Sequence, residues 1–291
     1  MGGTNGETAL AALRADYARR ILAIVGVTDP AIEAAFASVP REAFLGPGPW
    51  QRFKFAQGYE PTPSDDPVHL FNNDLYGIVP ERGLNNGQPS LHAWLLSQAV
   101  PRPGEHVVHV GAGVGYYTAL MAHMVGPQGR VTGIEFDPDL AARAAANFVA
   151  WPKVEIKAGD GALCPFDPAD VIYVNAGATR PASSWLDGLK EGGRLILPLT
   201  TSKRAGDAAA MRLANSGAVF RIARHGDAYA AKWISPVAIF PCAGNRDEAS
   251  EAALAAGLAK TEMTDVTRLR RDPHAQERTC CAHGDGWCLA L

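Results

Sequence analysis

The stretch His106–Leu120, "HVVHVGAGVGYYTAL", sets Gly111, Gly113 and Gly115 at alternate positions directly after an apolar run. The run "HVVHVG" reads as a buried strand and "YYTALMAHMVG" as the helix that follows. A strand that ends in bare backbone and opens a helix lets a ligand approach the main chain and meet the helix N-terminus, an arrangement that nucleotide-type ligands use. Outward from this unit the chain alternates. "RVTGIEF", "KVEIKAG", "DVIYVNAG" and "GGRLILPL" are further strands, separated by the helical "PDLAARAAANFVAW" and "PASSWLDGL". This order predicts an α/β fold, a doubly wound Rossmann-like sheet. "AMRLANSGAVFRIARHGDAYAAKWISPVAIFPC" (210–242) has the turn-punctuated look of antiparallel strands added at one edge, and a helix, "DEASEAALAAGLAK", leads from there to a polar tail.

On the N-terminal side, Leu10, Leu13, Tyr17, Ile21 and Leu22 fall at helical spacing, and "TDPAIEAAFASVP" supplies a cap, a proline in the first turn and a stop at Pro40. Two N-terminal helices follow. Residues 46–89 are rich in Gly, Pro, Asn and Asp with aromatics between them, which predicts a long irregular but packed segment. The chain thus divides into 1–89 (helices and a substrate-side segment), 90–241 (the core with its added strands) and 242–291 (an extension packed on the core).

Composition narrows the function. With 291 residues, 47% of them hydrophobic, and a net charge of −3, the chain is a globular protein with no electrostatic drive toward nucleic acid or an anionic membrane. No apolar run approaches the roughly 20 residues that span a bilayer, and the first residues carry no basic and apolar leader pattern, so a cytoplasmic location is expected. Five cysteines, three of them crowded at the C-terminus, are no disulfide framework for a chain of this length.

The glycine spacing narrows the ligand. G-x-G-x-G lacks the third glycine of the dinucleotide fingerprint, since position 116 is Tyr, and suits S-adenosylmethionine, whose methionine moiety lies across such a loop. Glu135 closes the second strand, where a carboxylate can accept from both ribose hydroxyls, and Asp160 follows the third, within reach of an adenine amino group. A nicotinamide or flavin enzyme is the runner-up, disfavoured by the missing glycine and the antiparallel additions.

From residue 17 to residue 241 the sequence resembles the protein-L-isoaspartate O-methyltransferase family, on "ASVPREAFL", "NNGQPSLHAWLL", "VGAGVGYYTA", "GIEFDP", "GDGA" and "LDGLKEGGRLILPL". The resemblance implies methyl transfer from S-adenosylmethionine to a carboxylate of a protein or peptide, in the family the α-carboxyl of an isoaspartyl residue in damaged protein. It places Gly111, Ala112, Gly113 and Gly115 along the methionine part, Glu135 at the ribose with Phe136 next to it in the cofactor-binding set, and Asp160 and Gly161 at the adenine. Asn175, at the end of the fourth strand, and His109 join them on the cofactor side. The segment from Asn85 becomes the wall between cofactor and substrate. Where the family has Thr-Ile-Ser, this chain has Asn85, Asn86 and Gly87, so the serine hydroxyl is gone. These three are the candidate catalytic residues, offering amide and backbone donors to the substrate carboxylate; the bland alternative is a simple turn. Substrate choice is correspondingly open, to an isoaspartyl group, an aspartyl group in a particular peptide, or a small molecule, and a binding protein without catalysis is a further reading. His109 stands where methyltransferases commonly place an acid. His92 is expected to be a packed residue.

"TCCAHGDGWCLAL" (279–291) reads as a terminal hairpin with buried cysteines and no metal; zinc on the three thiols and His283 is the minor reading, because adjacent Cys280 and Cys281 cannot easily turn both sulfurs to one ion. "RLRRDPH" (268–274) reads as a solvated charged face.

Overall fold

A computed structural model describes residues 3–55, 57–202 and 215–291. Helices α1 (Gly3–Ile24) and α2 (Pro30–Ser38) begin the chain, followed by a single turn, α3 (Glu42–Leu45). Asp29 caps α2 by accepting from the Ala31 N–H, and Pro30 fits the first turn, where no intrahelical donor is needed. Residues 46–89, expected to be irregular, contain two small hairpins: β1 (Gln51–Lys54) with β2 (Gly58–Pro61), and β3 (Gly77–Val79) with β4 (Leu84–Asn85).

The core then alternates as the sequence predicts: α4 (Pro89–Ala99), β5 (His106–Val110), α5 (Tyr116–Val125), β6 (Arg130–Glu135), α6 (Pro138–Asn147), β7 (Val154–Ala158), β8 (Ala169–Val174), α7 (Ser183–Gly188) and β9 (Leu189–Thr201). Strands β10 (Asn215–His225) and β11 (Ala228–Ile239) add antiparallel to β9, and residues 210–214 of the predicted β-rich stretch lie outside the described residues. The extension supplies α8 (Glu248–Leu258), β12 (Arg268–Arg270), β13 (Cys280–Gly284) and β14 (Trp287–Ala290).

All but the two small hairpins join one ten-stranded sheet, ordered β13-β14-β12-β11-β10-β9-β8-β5-β6-β7. Pairing is parallel from β9 to β7 and antiparallel beyond β9. The chain order reverses between β5 and β8, and open α/β sheets bind ligands beyond the carboxyl ends of the strands at such a switch point.

Alternating side chains fill both faces. Val107, Val171, Tyr173 and Ile196 pack with α1, α2, α4 and α5, while Val108, Val110, Ile172, Val174 and Leu195 pack with α7 and α8. Arg194, buried on β9, closes the core below the site: it donates to the Ala99 carbonyl (2.9 Å) and to both Glu105 oxygens (2.8 Å each), fixing the end of α4 against the start of β5.

The charged stretch at 268–274 is no solvated face. Arg268–Arg270 is β12, inserted between β11 and β14, because Leu269 turns inward opposite Tyr229 while its arginine neighbours turn out. Arg270 pairs with Asp272 and Glu277, and Arg271 with Asp187. Among the described residues no helix is long and apolar enough to cross a membrane.

Candidate functional site

A cavity of about 430 Å³ opens at the switch point, beyond the carboxyl ends of β5, β6 and β8. Its floor is the glycine loop. Gly111 (φ +78°), Gly113 (φ +56°) and Gly115 (φ +97°) all take left-handed conformations, which glycine alone adopts without a steric penalty. The loop is tied on both sides: the Ile134 carbonyl accepts from the Gly111 N–H (2.8 Å), and the Asn175 side-chain amide donates to the Gly111 carbonyl (3.5 Å).

Glu135 acts as the loop's clip. One carboxylate oxygen accepts from the Gly113 N–H (2.7 Å) and the other from the Asp137 N–H (3.0 Å). Burial pushes its carboxyl above the usual carboxylate range, and these N–H donors pull it back. Each oxygen keeps a second acceptor direction. Asp137 caps α6 through Asp139 and Leu140 and pairs with Arg82 at 2.5 Å, which joins the irregular segment to this rim.

The three glycines part company in what lies behind them. A Cβ on Gly113 would meet nothing nearer than Ile78 at 3.8 Å, whereas one on Gly115 would strike the Phe148 ring at 2.5 Å. Gly111, Gly113, Glu135, Phe136, Asp160, Gly161 and Asn175 therefore border the cavity, and Gly115 serves helix packing behind it. Ala112 is buried beneath the loop and is not on the cavity wall.

His109 is likewise placed away from the cavity. It is fully buried in β5, with Nδ1 2.8 Å from the Thr118 hydroxyl and the Tyr173 ring edge-on to it. A strand inside a sheet alternates its side chains, and position 109 falls on the face covered by α5, with Thr118 and Tyr173. Burial holds its imidazole down to about 3, so it is neutral. A folded-state value below the unfolded one means that the unfolded chain takes up the proton first as pH falls. The stability due to neutral His109 is complete above about pH 6.5 and is lost from there down to about pH 3, at about 1.4 kcal/mol per unit. Burial lowers His92 and His106 in the same direction. His109→Phe is expected to lessen the fall in unfolding free energy between pH 6.5 and 5.5, measured by urea titration, by about 1 kcal/mol. An unchanged slope would mean that the imidazole titrates normally inside the fold.

The wall residues separate similarly. Asn85 borders the cavity; its side-chain carbonyl accepts from the Gly87 N–H (3.0 Å), and its amide donates to the Tyr59 hydroxyl (3.3 Å). The Gly87 N–H is thus committed within the turn and is not a free donor. Asn86 is buried away from the cavity, with its carbonyl oxygen accepting from the Tyr76 N–H (3.0 Å). His92 does pack, stacked on Tyr117 at 3.5 Å with Nδ1 2.8 Å from the Tyr173 hydroxyl, and it also borders the cavity. A Cβ at Gly87 (φ +73°) would lie 2.4 Å from His92 Nε2, so the imidazole fills the space that a side chain at position 87 would need.

Two groups on the wall were not foreseen from the sequence. Phe53, Phe55 and Tyr59 from the first hairpin form an aromatic rim on the side of Asn85. On the opposite side, the segment after β11 closes over Asp160: Gly177 and Phe240–Cys242 exchange backbone hydrogen bonds, and a Cβ on Gly244 would fall 1.9 Å from an Asp160 carboxylate oxygen.

This geometry has known counterparts. A family model described as protein-L-isoaspartate(D-aspartate) O-methyltransferase matches residues 20–224. The chain is similar to the protein-L-isoaspartate O-methyltransferase of Ignicoccus hospitalis, 33% identical over 157 residues, or 53% of this chain and 69% of the relative. It is also similar to that of Thermotoga maritima, 32% identical over 183 residues, or 62% of this chain and 53% of the relative. Protein-L-isoaspartate O-methyltransferase 1 of Arabidopsis thaliana is 37% identical over 123 residues, 38% of this chain and 54% of that one. The chain thus spans about half the length of the latter two. Two solved structures share the fold. One is a protein-L-isoaspartate O-methyltransferase (TM-score 0.58, 24% identity, 79% of this chain and 66% of that chain). The other is a beta-aspartate methyltransferase from Plasmodium falciparum in complex with S-adenosyl-L-homocysteine (TM-score 0.59, 17% identity, 80% of this chain and 99% of that chain).

Proposed function

The chain belongs to the protein-L-isoaspartate(D-aspartate) O-methyltransferase family, and from that premise we propose that it transfers a methyl group from S-adenosylmethionine to a carboxylate of a protein or peptide. The observation that carries this reading is the continuity of the cavity, which runs from Gly113, Glu135 and Asp160 at one end to Asn85 and His92 at the other.

The residues present fit the cofactor. Gly111 and Gly113 offer bare backbone for the methionine part, Glu135 has an open acceptor direction on each oxygen for a ribose diol, and Asp160 with Gly161 flanks the place for adenine. Phe136, 55% exposed at the rim, offers a ring for the base to stack on. When bound, the cofactor supplies a methyl group on a sulfonium, reactive enough that an ionised carboxylate needs no base. What the protein must contribute is position. The Tyr173 hydroxyl, kept protonated by burial, lies 2.8 Å from His92 Nδ1, and in the tautomer in which that nitrogen accepts from it the proton on Nε2 is directed at the wall beside Gly87. The Asn85 amide, whose two N–H groups make only long contacts to the Tyr59 hydroxyl (3.3 Å) and the Gly83 carbonyl (3.4 Å), exchanges one of them for the substrate carboxylate, which then has two neutral donors that orient it without neutralising its charge. The aromatic rim shields the reacting oxygen from water.

Residues 1–89 serve the substrate side, 90–241 hold the cofactor, and 242–291 extend the sheet, while residues 240–244 at their junction close the adenine side. Repair of isoaspartyl protein in the cytoplasm is part of the same proposal, supported by family membership and by five cysteines that are free thiols. The second reading, another carboxylate acceptor, is favoured by one observation: His92 stands where a side chain at position 87 would project.

The test compares an isoaspartyl peptide with its aspartyl twin as acceptors of label from S-adenosylmethionine, beside calorimetry of cofactor binding. The isoaspartyl peptide is expected to be preferred by at least about 100-fold in kcat/KM, a difference of about 2.7 kcal/mol. Cofactor binding with neither peptide labelled would shift the assignment to the second reading, and no cofactor binding would overturn both.

A further inference from the structure

We propose that the C-terminal hairpin and the loop before it form a tetrahedral site for a structural zinc ion, held by His274, Cys280, His283 and Cys288. One ligand atom from each of these four residues lies within 4.8 Å of every other. The site is independent of the methyl-transfer chemistry and lies at the far edge of the ten-stranded sheet, on β13 and β14.

The strand register explains how three of the four converge. Simple alternation would put Cys280 and His283 on opposite faces of β13. The register slips between Cys280 and Ala282, and such an irregularity moves every later side chain to the other face. Cys281 and Ala282 consequently enter the core under α8, with the Cys281 thiol donating to the Glu262 carbonyl (3.6 Å), while Cys280 and His283 share the opposite face. His283 is directly paired with Cys288 across the hairpin. The objection that neighbouring cysteines cannot both face one ion holds, and it removes Cys281 alone.

The fourth group comes from the loop. His274 is 9% exposed at its side chain, and its Nδ1 donates to the Asp272 carbonyl at 2.7 Å. A carbonyl only accepts, so Nδ1 carries a proton, and in the neutral imidazole the Nε2 lone pair points at Cys280 Sγ from 3.6 Å. Metal-bound histidines are commonly oriented by just such a bond on the other nitrogen. Zinc–sulfur and zinc–nitrogen bonds of about 2.3 and 2.0–2.1 Å at tetrahedral angles set a nitrogen–sulfur separation of about 3.6 Å. The Glu277 N–H donates to Cys280 Sγ at 3.3 Å, a contact suited to a thiolate. His283 Nδ1 is buried without a hydrogen-bond partner.

The donor set and its surroundings point to the ion and its role. Two sulfurs and two nitrogens gathered within 4.8 Å of one another suit a tetrahedral ion, and that donor set selects zinc among common divalent ions. On binding, Cys280 and Cys288 each release a proton, and two thiolates with two neutral imidazoles balance the dication, so the buried site carries no net charge. The face on which it lies has only a small apolar cluster, Cys280, Cys288 and Ala290. That is too little to fix the loop 271–279, and a metal supplies what the core there does not.

The full chain, purified reduced and without chelator, is expected to contain about one zinc per molecule by elemental analysis. Cys288→Ser and His274→Asn should reduce the content to background, and Cys281→Ala should leave it unchanged. Because a variant of a terminal hairpin can misfold, the unaltered protein provides the second readout. After removal of zinc, Co²⁺ is expected to give the intense visible bands and the thiolate charge-transfer absorption of a tetrahedral sulfur–nitrogen site. Absence of both stoichiometric zinc and that spectrum would overturn the proposal, as would a Cys280–Cys288 disulfide in the reduced preparation's mass spectrum or loss of zinc in Cys281→Ala equal to that in Cys288→Ser.

Discussion

Gly113→Val is expected to weaken S-adenosylmethionine binding by at least about 100-fold, or about 2.7 kcal/mol, in a protein that keeps its native circular dichroism spectrum. Three effects act together. Valine at φ +56° is strained, by about 1–2 kcal/mol for a left-handed residue and more for a β-branched one. The loop relieves that strain by moving, which pulls the Gly113 N–H from the Glu135 carboxylate that it now meets at 2.7 Å. The added side chain projects into the cavity, since the nearest atom to its Cβ is Ile78 Cδ1 at 3.8 Å. That open space is why the fold survives while the ligand is excluded. Gly115→Val would differ in kind, because Phe148 lies 2.5 Å from the corresponding Cβ and the damage falls on helix packing. Gly113→Ala should fall between the native protein and valine. Calorimetric affinity within about threefold of native for Gly113→Val, less than 1 kcal/mol, would remove the loop from the cofactor site.

The parts of the fold that the sequence announces are those whose side chains obey one period. β5 is buried throughout and β8 at all but Asp170 because both faces are covered, which makes valine and isoleucine dominate them, and α6 is capped by Asp137 ahead of Pro138, so both kinds of element are visible in a dozen residues. Glu135, Asp160 and the glycines are legible for the same reason: each is fixed to the end of a strand that is itself legible. What escapes is non-local or too short. The hairpins within 46–89 have strands of two to four residues, over which no alternation is measurable. β12 shows one inward leucine between two arginines, a pattern shared with any charged turn. The closure of Gly244 over Asp160 joins positions 84 residues apart and leaves no local mark beyond a glycine. His109 illustrates the opposite error, since its nearness in sequence to the loop says nothing of which face of β5 it occupies. The slip in β13 likewise hides the convergence of Cys280 and His283, which an unbroken strand would separate.

Arg41→Met is expected to destabilise the protein by about 3–5 kcal/mol in urea unfolding and, at temperatures where it remains folded, to raise KM for the peptide more than it lowers cofactor affinity. Arg41 is 1% exposed and lies over the Tyr76 ring at 5.1 Å. Its guanidinium donates to three carbonyls of one short segment, Leu70 (2.7 Å), Asn72 (3.1 Å) and Asp74 (2.8 Å). Hydrogen bonds from a charged donor are worth about 1.5–3 kcal/mol each, and losing the donor leaves buried carbonyl groups without their partner. Methionine restores much of the volume but none of the donors, which isolates the polar contribution. The route to the site is explicit: the segment that Arg41 holds continues into Tyr76, whose N–H and C=O are both bonded to Asn86 (3.0 Å each), and Asn86 adjoins the turn that presents Asn85 and backs against His92. Glu135 and the glycine loop are supported instead by β6 and Asn175, so cofactor affinity should move less. Arg41→Lys should recover only part of the loss, because one ammonium cannot reproduce the guanidinium's planar fork toward three acceptors. A loss below about 1 kcal/mol in Arg41→Met, the worth of a single ordinary hydrogen bond, would mean that water or another donor takes over these carbonyls, and the segment would then owe its place to Tyr76 and the surrounding apolar packing.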